Sequence, residues 1–401
     1  MCRRTLLFLI GVTATAALAA GCGSSGSSKH SGSAGAKPVH GPLIGVTFDG
    51  PVLSPMVNLT QQIDRAAQSG AESLRVAIDW DQVQPYAAIG QVPSGQRSQF
   101  QVIGGVPTRF AALDQLMAIA AHFRMSVLPV VEYTPRWDAS QPGRRASPPK
   151  RVAPFAAFLT ALVKRYGPGG TFWDAHPELP HLPVHMWQIW NEPHFTSYWT
   201  KQPFAASYVA LLRAAHGAIK AADPTAKVVL AGLADFSWQY LDQIYHQPGA
   251  RNLFDIVAIH PYTARAQGVI TILQRARQVM DKSGDAQKPI LATEITWPSS
   301  QGKAPPQFGV STTEAQQAQR ISQVMPLLQA NASKLHLTGF YWYTWMGNES
   351  PSGHPYGFNF AGLEKYVSGT VMVKPALAVF KRQALRIEGC ASKTVAVSCA
   401  G

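Results

Sequence analysis

From Leu43 onward the chain alternates short apolar, β-branched runs with longer amphipathic segments, and the alternation repeats eight times. The apolar runs fall at 43–48, 73–78, 126–131, 184–190, 227–231, 254–259, 289–293 and 337–343. Each is nearly continuous in apolar character, as strands covered on both faces are, and this favours a parallel sheet under helices. Helical periodicity marks about 56–69, 109–124, 153–166, 204–222, 238–246, 269–283, 313–330 and 375–387. Asp223-Pro224 stops the fourth of these, because the residue before a proline avoids the helical region. Ser311-Thr312-Thr313-Glu314 supplies an N-terminal cap for the seventh. Eight strand-then-helix units predict an α/β chain with one (β/α)8 TIM barrel over residues 43–388. The alternative is an open doubly wound sheet. That fold favours a Gly-rich phosphate turn after the first strand, where this chain has Phe48-Asp49-Gly50-Pro51.

The ends of the chain follow a different pattern. Arg3 and Arg4 precede an apolar run over 6–18, and Ala19-Ala20-Gly21-Cys22 follows. A run this short, flanked in this way, is a signal peptide over 1–22 and not a membrane span. Leu18-Ala19-Ala20-Gly21-Cys22 resembles a bacterial lipobox, which implies lipidation of Cys22 and an exported chain held at the outer face of the cell membrane. An ordinary secretory peptide cleaved nearby is the alternative. Residues 23–42 are Ser/Gly-rich and form a tether. In the tail, 389–401, Cys390 and Cys399 are expected to form a disulfide, since export leads to an oxidising compartment.

Composition adds exclusions. Hydrophobic residues make up 46% and charged residues 14%, which excludes a disordered or coiled-coil chain. The net charge of +13 is either solvated surface or an attraction for anionic polymer or lipid. Lys and Arg are scattered, with their densest cluster at Arg144, Arg145, Lys150 and Arg151, so no nucleic-acid partner is expected. The twelve histidines are dispersed and no HExxH motif occurs, so no metal or other cofactor is expected.

A TIM barrel keeps its active site at the C-terminal ends of its strands. The residues there are Asp49; Arg75 with Asp79 and Trp80; Glu132 and Tyr133; Asn191 and Glu192; Asp235; His260 and Tyr262; Glu294 and Trp297; and Tyr343, Trp345 and Asn348. Carboxylates serve acid–base chemistry and aromatic rings stack on sugars. Glu192 and Glu294 stand out, because each directly follows an apolar strand and the two strands, fourth and seventh, face each other across an eight-membered ring.

Trp190-Asn191-Glu192-Pro193 resembles the Asn-Glu-Pro signature of the clan A glycoside hydrolases. His260-Pro261-Tyr262 resembles the His-x-Tyr of family 5. Leu74-Arg75-Val76 with Asp79-Trp80 is similar to the second strand of families 5 and 39, and Gly339-Phe340-Tyr341-Trp342-Tyr343-Thr344-Trp345 to the Trp-bearing eighth strand. Glu132-Tyr133 departs from the His that many family 5 members carry, which leans the resemblance towards family 39. The resemblance implies a retaining glycosidase on a β-linked poly- or oligosaccharide. In it Glu192 is the acid/base and Glu294 the nucleophile. Arg75 and Tyr262 keep Glu294 charged, Asn191 binds the sugar 2-OH, and Trp345 forms a floor under the sugar. Trp80, Trp137 and Trp297 shape neighbouring subsites, while His260 contacts substrate or satisfies a rim hydrogen bond. Glu132 is either a substrate contact or a rim ion pair. Two other functions remain open: a non-catalytic glycan-binding lipoprotein on the same barrel, and an envelope transglycosylase. The loops 85–107 and 135–150 are long and polar and are expected to shape the cleft. Arg136, Arg144 and Arg145 in the second point to an anionic substrate.

Overall fold

The computed structural model describes residues 41–306, 309–349, 355–397 and 399. The signal peptide, Cys22 and almost all of the tether lie outside them. Eight strands form one parallel sheet: β1 (Leu43–Phe48), β2 (Ser73–Asp79), β3 (Ser126–Glu132), β4 (Met186–Ile189), β5 (Lys227–Val229), β6 (Val257–Ile259), β7 (Ile290–Ile295) and β8 (Leu337–Trp342). Their order is β5-β4-β3-β2-β1-β8-β7-β6, and bridges from Val229 to Ile256 and from Leu233 to Ile259 join the two end strands. The result is a (β/α)8 barrel.

Each strand leads to a helix: α1 (Leu59–Gln68), α2 (Ala111–His122), α3 (Val152–Tyr166), α4 (Ala205–Ala222), α5 (Ser237–Tyr245), α6 (Ala266–Lys282), α7 (Glu314–Leu335) and α8 (Pro375–Glu388). The Asn58 side chain accepts from the Gln61 amide to start α1, and Thr313 with Gln316 closes a capping box on α7. Such caps satisfy amides that have no partner inside the helix. The main apolar core lies between the sheet and this helical ring. A smaller cluster of Leu128, Val229, Ile256, Ala258, Leu291 and Tyr341 fills the barrel's interior. Gly45 makes room for it, since a Cβ there would collide with the Tyr341 ring. The interior is therefore a packed plug, and chemistry is confined to the rim above it.

Four strands are shorter than the apolar runs that predict them. β4 ends at Ile189, because Trp190 and Glu192 take left-handed conformations with φ of 69° and 41°. Apolar periodicity also gives no warning of a hairpin at Gln101–Ile103 and Val106–Thr108, or of a small sheet of Met346–Asn348, Glu364–Val367 and Thr370–Val373. These strands are too short to show a period. The structure pairs Cys390 with Cys399, their Cα atoms 5.7 Å apart. No helix among the described residues is long and apolar enough to cross a membrane.

Candidate active site

The C-terminal rim assembles from strand ends that turn out of the ladder. Left-handed conformations at Tyr133, Trp190, Glu192 and Asp235 follow β3, β4 and β5. Non-glycine residues adopt this region at a cost and need surrounding contacts to hold them there. For Glu192 the holding contact is its own amide, which donates to the Gly232 carbonyl at 3.1 Å. The strand-end geometry thereby aims the Glu192 carboxyl across the rim.

Arg75 organises the opposite side from inside β2. Its Nη1 donates to Glu294 Oε1 at 2.7 Å, its Nη2 to Asn191 Oδ1 at 2.8 Å and its Nε to Gln188 Oε1 at 2.8 Å. The rigid guanidinium fork thus fixes three acceptors at once. Tyr262 donates its hydroxyl to the other Glu294 oxygen. Asn191 Oδ1 is engaged by Arg75, so its NH2 group is left without a protein partner among the described residues and faces a cleft that Asn191 lines. Gln188 is absent from the sequence expectations. Its one signal was a lone amide inside an apolar strand.

His260 is fully buried, and its Nδ1 shares a hydrogen bond with Glu192 Oε1 at 2.7 Å while lying 3.6 Å from Glu294 Oε2. Gly232 permits this, because a Cβ there would collide with the imidazole. One oxygen of each glutamate and a His260 ring nitrogen all lie within 4.8 Å of one another. The three are a metal-type constellation by distance. Arg75, Tyr262 and His260 already occupy its carboxylate oxygens, and a guanidinium beside Glu294 supplies the positive charge that a cation would bring.

The two carboxyls are tuned in opposite directions. Burial, the largest influence, raises Glu192 above the ordinary carboxylate value, and the charge of Glu294 adds to this while the His260 contact opposes it. Burial also works to raise Glu294, but His260, Arg75 and Tyr262 together outweigh it and lower its pKa. The shifts favour the protonated form of Glu192 and the ionised form of Glu294, the division of labour that acid–base pairs require.

Two lobes open from this centre and meet at Glu294, Tyr198 and Tyr343. The first, about 150 Å³, contains Glu192 and is walled by Phe195, Tyr262, Tyr356 and Phe358, with Asp235 at its edge. The second, about 300 Å³, contains Arg75, Asn191, Asp49, Asp79, Glu132 and Arg145. Glu132 makes no ion pair among the described residues and lines this lobe. Arg145 pairs with Asp79 and, at 3.3 Å, with Asp81, and its guanidinium lies 3.8 Å over the Tyr133 ring, so it is not a free anion receptor.

The tryptophans are a correction. Trp80, Trp297 and Trp345 were expected in the cleft, yet they are 0%, 1% and 0% exposed. Each indole N–H finds its partner beneath the rim: Trp80 with Gln84, Trp297 with the Thr263 carbonyl and Trp345 with Gln62. They support the walls from behind, and Trp137 packs edge-on against Trp80 rather than lining either lobe. Trp187 and Trp342 are core. Tyrosines and phenylalanines line the cavities instead. Among these, Phe195, Tyr198, Tyr356 and Phe358 sit in loops whose sequence carries no periodic signal.

No protein-family model matches the sequence, and no curated protein matches it. Solved structures do. The chain is similar to a monomeric β-xylosidase of Caulobacter crescentus CB15, with 16% identity and a TM-score of 0.59 over 85% of this chain and 68% of that one. It is similar to the exo-β-1,4-mannosidase Op5Man5 of Opitutaceae bacterium strain TAV5, with 16% identity and a TM-score of 0.57 over 86% and 59%. A GH5_18 protein of Streptomyces cattleya, solved in complex with Manβ1-4GlcNAc, matches with 16% identity and a TM-score of 0.58 over 86% and 80%. At these identities the likeness is one of fold, and the chain shares its barrel with these glycoside hydrolases.

Proposed function

We propose that the protein is a retaining glycoside hydrolase that cleaves β-linked poly- or oligosaccharides by double displacement. The observation that carries this reading is the approach of Glu192 and Glu294 to within 4.8 Å, with opposite pKa shifts. Retention needs carboxyl groups ~5–5.5 Å apart, whereas inversion needs ~6.5–9.5 Å to admit a water between them.

Glu192 donates its proton to the glycosidic oxygen as that bond breaks. Glu294, ionised and held by Arg75 and Tyr262, attacks the anomeric carbon and forms a glycosyl ester. Glu192, now a carboxylate, takes a proton from water, which attacks the anomeric carbon and restores both groups. The Asn191 NH2 donates to the sugar 2-OH, a contact that strengthens as the ring gains oxocarbenium character. His260 holds the Glu192 carboxyl in place through their shared hydrogen bond.

The leaving group must face the proton on Glu192. The aromatic lobe therefore takes the leaving-group side, and the charged lobe takes the sugar that becomes attached. Proton NMR of the first product released from an aryl β-glycoside tests the reading: a β-anomer is expected, and an initial α-anomer would overturn it. We further propose that the enzyme is exported and lipid-anchored at Cys22. Mass spectrometry of the mature N-terminus tests this, the expected species being a diacylglyceryl-modified Cys22.

A further inference from the structure

The charged lobe contains four carboxyl groups, Asp49, Asp79, Glu132 and Glu294, and two guanidinium groups, Arg75 and Arg145. Both cations are committed: Arg75 to Glu294 and Arg145 to Asp79. Asp49 is held only by hydroxyls, accepting from Thr344 and Tyr343. Glu132 has no side-chain hydrogen bond or ion pair of its own among the described residues, although the charges of Arg75 and Arg145 reach it. It is 6% exposed, lines the lobe, and its Oε2 is buried with no hydrogen-bond partner. A buried polar atom without a partner is costly.

The local balance also runs against the whole chain. The protein carries a net charge of +13, yet this lobe has two more carboxyls than cations. Neighbouring elements supply no other charged group to the lining. Burial raises Glu132 well above the ordinary value, and Asp79 and Glu294 add to this against the opposing charges of Arg75 and Arg145, while burial also raises Asp49 against the hydroxyls of Thr344 and Tyr343. A ligand that brings positive charge and hydrogen-bond donors would relieve both groups.

The geometry points to a sugar bearing a free, protonated amine as an occupant of this lobe beyond the sugar held at Glu294 and Asn191, with Glu132 as the residue that selects it. A neutral hydroxyl would donate to Glu132 a hydrogen bond in which only the acceptor can carry charge. An ammonium would add the attraction of a full opposite charge, which is strong in a buried site. N-acetylation would remove the charge and add bulk. The inference rests on the glycosidase reading only in assigning this lobe to the sugar side.

Three β-1,4-linked tetrasaccharides with the same backbone test it, since chitosan, chitin and cellulose oligomers differ only at C2, as amine, acetamide and hydroxyl. Calorimetric titration of the full protein should show the chitosan tetramer binding about ten- to a hundredfold tighter than either of the others, the range expected of one charge-assisted hydrogen bond in a buried site. In Glu132→Gln, which keeps the side chain's shape, the ratio between chitosan and cellulose tetramers should collapse towards one. Equal binding of the three by the unaltered protein, or binding of none, overturns the inference without use of any variant. A preference that survives Glu132→Gln also overturns it. Hydrolysis of the same tetramers is followed separately. Preference without hydrolysis contradicts the glycosidase reading and leaves this inference standing. Hydrolysis without preference does the reverse.

Discussion

The two lobes of the cleft share Glu294, Tyr198 and Tyr343 and differ in almost everything else. The smaller one has walls of phenylalanine and tyrosine around Glu192. The larger is built from carboxyls and guanidiniums around Arg75. The contrast teaches how one barrel rim shifts two glutamates in opposite directions while an oxygen of one lies within 4.8 Å of an oxygen of the other. Glu192 lies among aromatic neighbours, so burial dominates over its imidazole contact and its pKa rises. Glu294 stands at the junction, where His260 and, from the charged side, Arg75 reach it, and there their charge and the Tyr262 hydrogen bond outweigh burial.

The first way to break this comparison is to remove the group at the junction. Glu294→Ala is expected to lower kcat on the order of 10⁴-fold or more, as loss of a covalent nucleophile does. Added azide should restore part of the turnover of an activated aryl glycoside and yield the α-glycosyl azide. Residual activity within tenfold of the unaltered enzyme would contradict the assignment.

Next in size, Glu192→Gln should reduce kcat/KM by about 10²–10⁴-fold for substrates with poor leaving groups. The pH profile gives the sign. Glu192 acts protonated and its pKa is raised, so activity should fall as pH rises through that value, and the variant should lose this alkaline limb. Glu294 acts ionised and its pKa is lowered, so activity should fall only as pH drops through it. Arg75→Met removes a cation that holds that pKa down, and the acid limb should move to higher pH.

The aromatic wall gives a smaller effect. Tyr356, half exposed at the mouth of the Glu192 lobe, should contribute stacking to a leaving-group sugar. Tyr356→Ala is expected to raise KM up to about tenfold for oligosaccharides, on the ~0.5–1.5 kcal/mol scale of aromatic contacts. Aryl glycosides with one sugar should show little change. The buried tryptophans should behave oppositely. Trp345→Phe leaves the Gln62 acceptor unpaired in the core and should cost about 1–3 kcal/mol of stability in denaturant titration, with KM unchanged. A large KM effect with full stability would return Trp345 to the cleft.

The outcome for Trp345 shows where the sequence stopped being legible. The eight strand–helix units were readable because burial on both faces writes long apolar runs, and strand ends then named Arg75, Glu192, His260, Tyr262 and Glu294. Past a strand end the alternation is lost. Tyr343 and Trp345 are two residues apart, yet Tyr343 lines both lobes while the Trp345 amide donates to the Thr47 carbonyl and its indole turns down to α1. Nothing in composition separates the two. The loop residues Tyr198, Tyr356 and Phe358 were hidden for the same reason. Gln188 was hidden because a single amide in an apolar strand declares its partner only once Arg75 is beside it. The expectation of an anionic substrate loses one of its three supports, since Arg145 could be seen in the sequence but its pairing with Asp79 and Asp81 could not.

The most direct test of the account is covalent trapping. The purified protein is incubated with a panel of activated 2-deoxy-2-fluoro β-glycosides, including those of glucose, mannose and xylose, and digested for peptide mass spectrometry. The account predicts one stoichiometric sugar ester on Glu294, formed in step with loss of activity. A label on any other residue, or complete hydrolysis with no label and an inverted product, would contradict it.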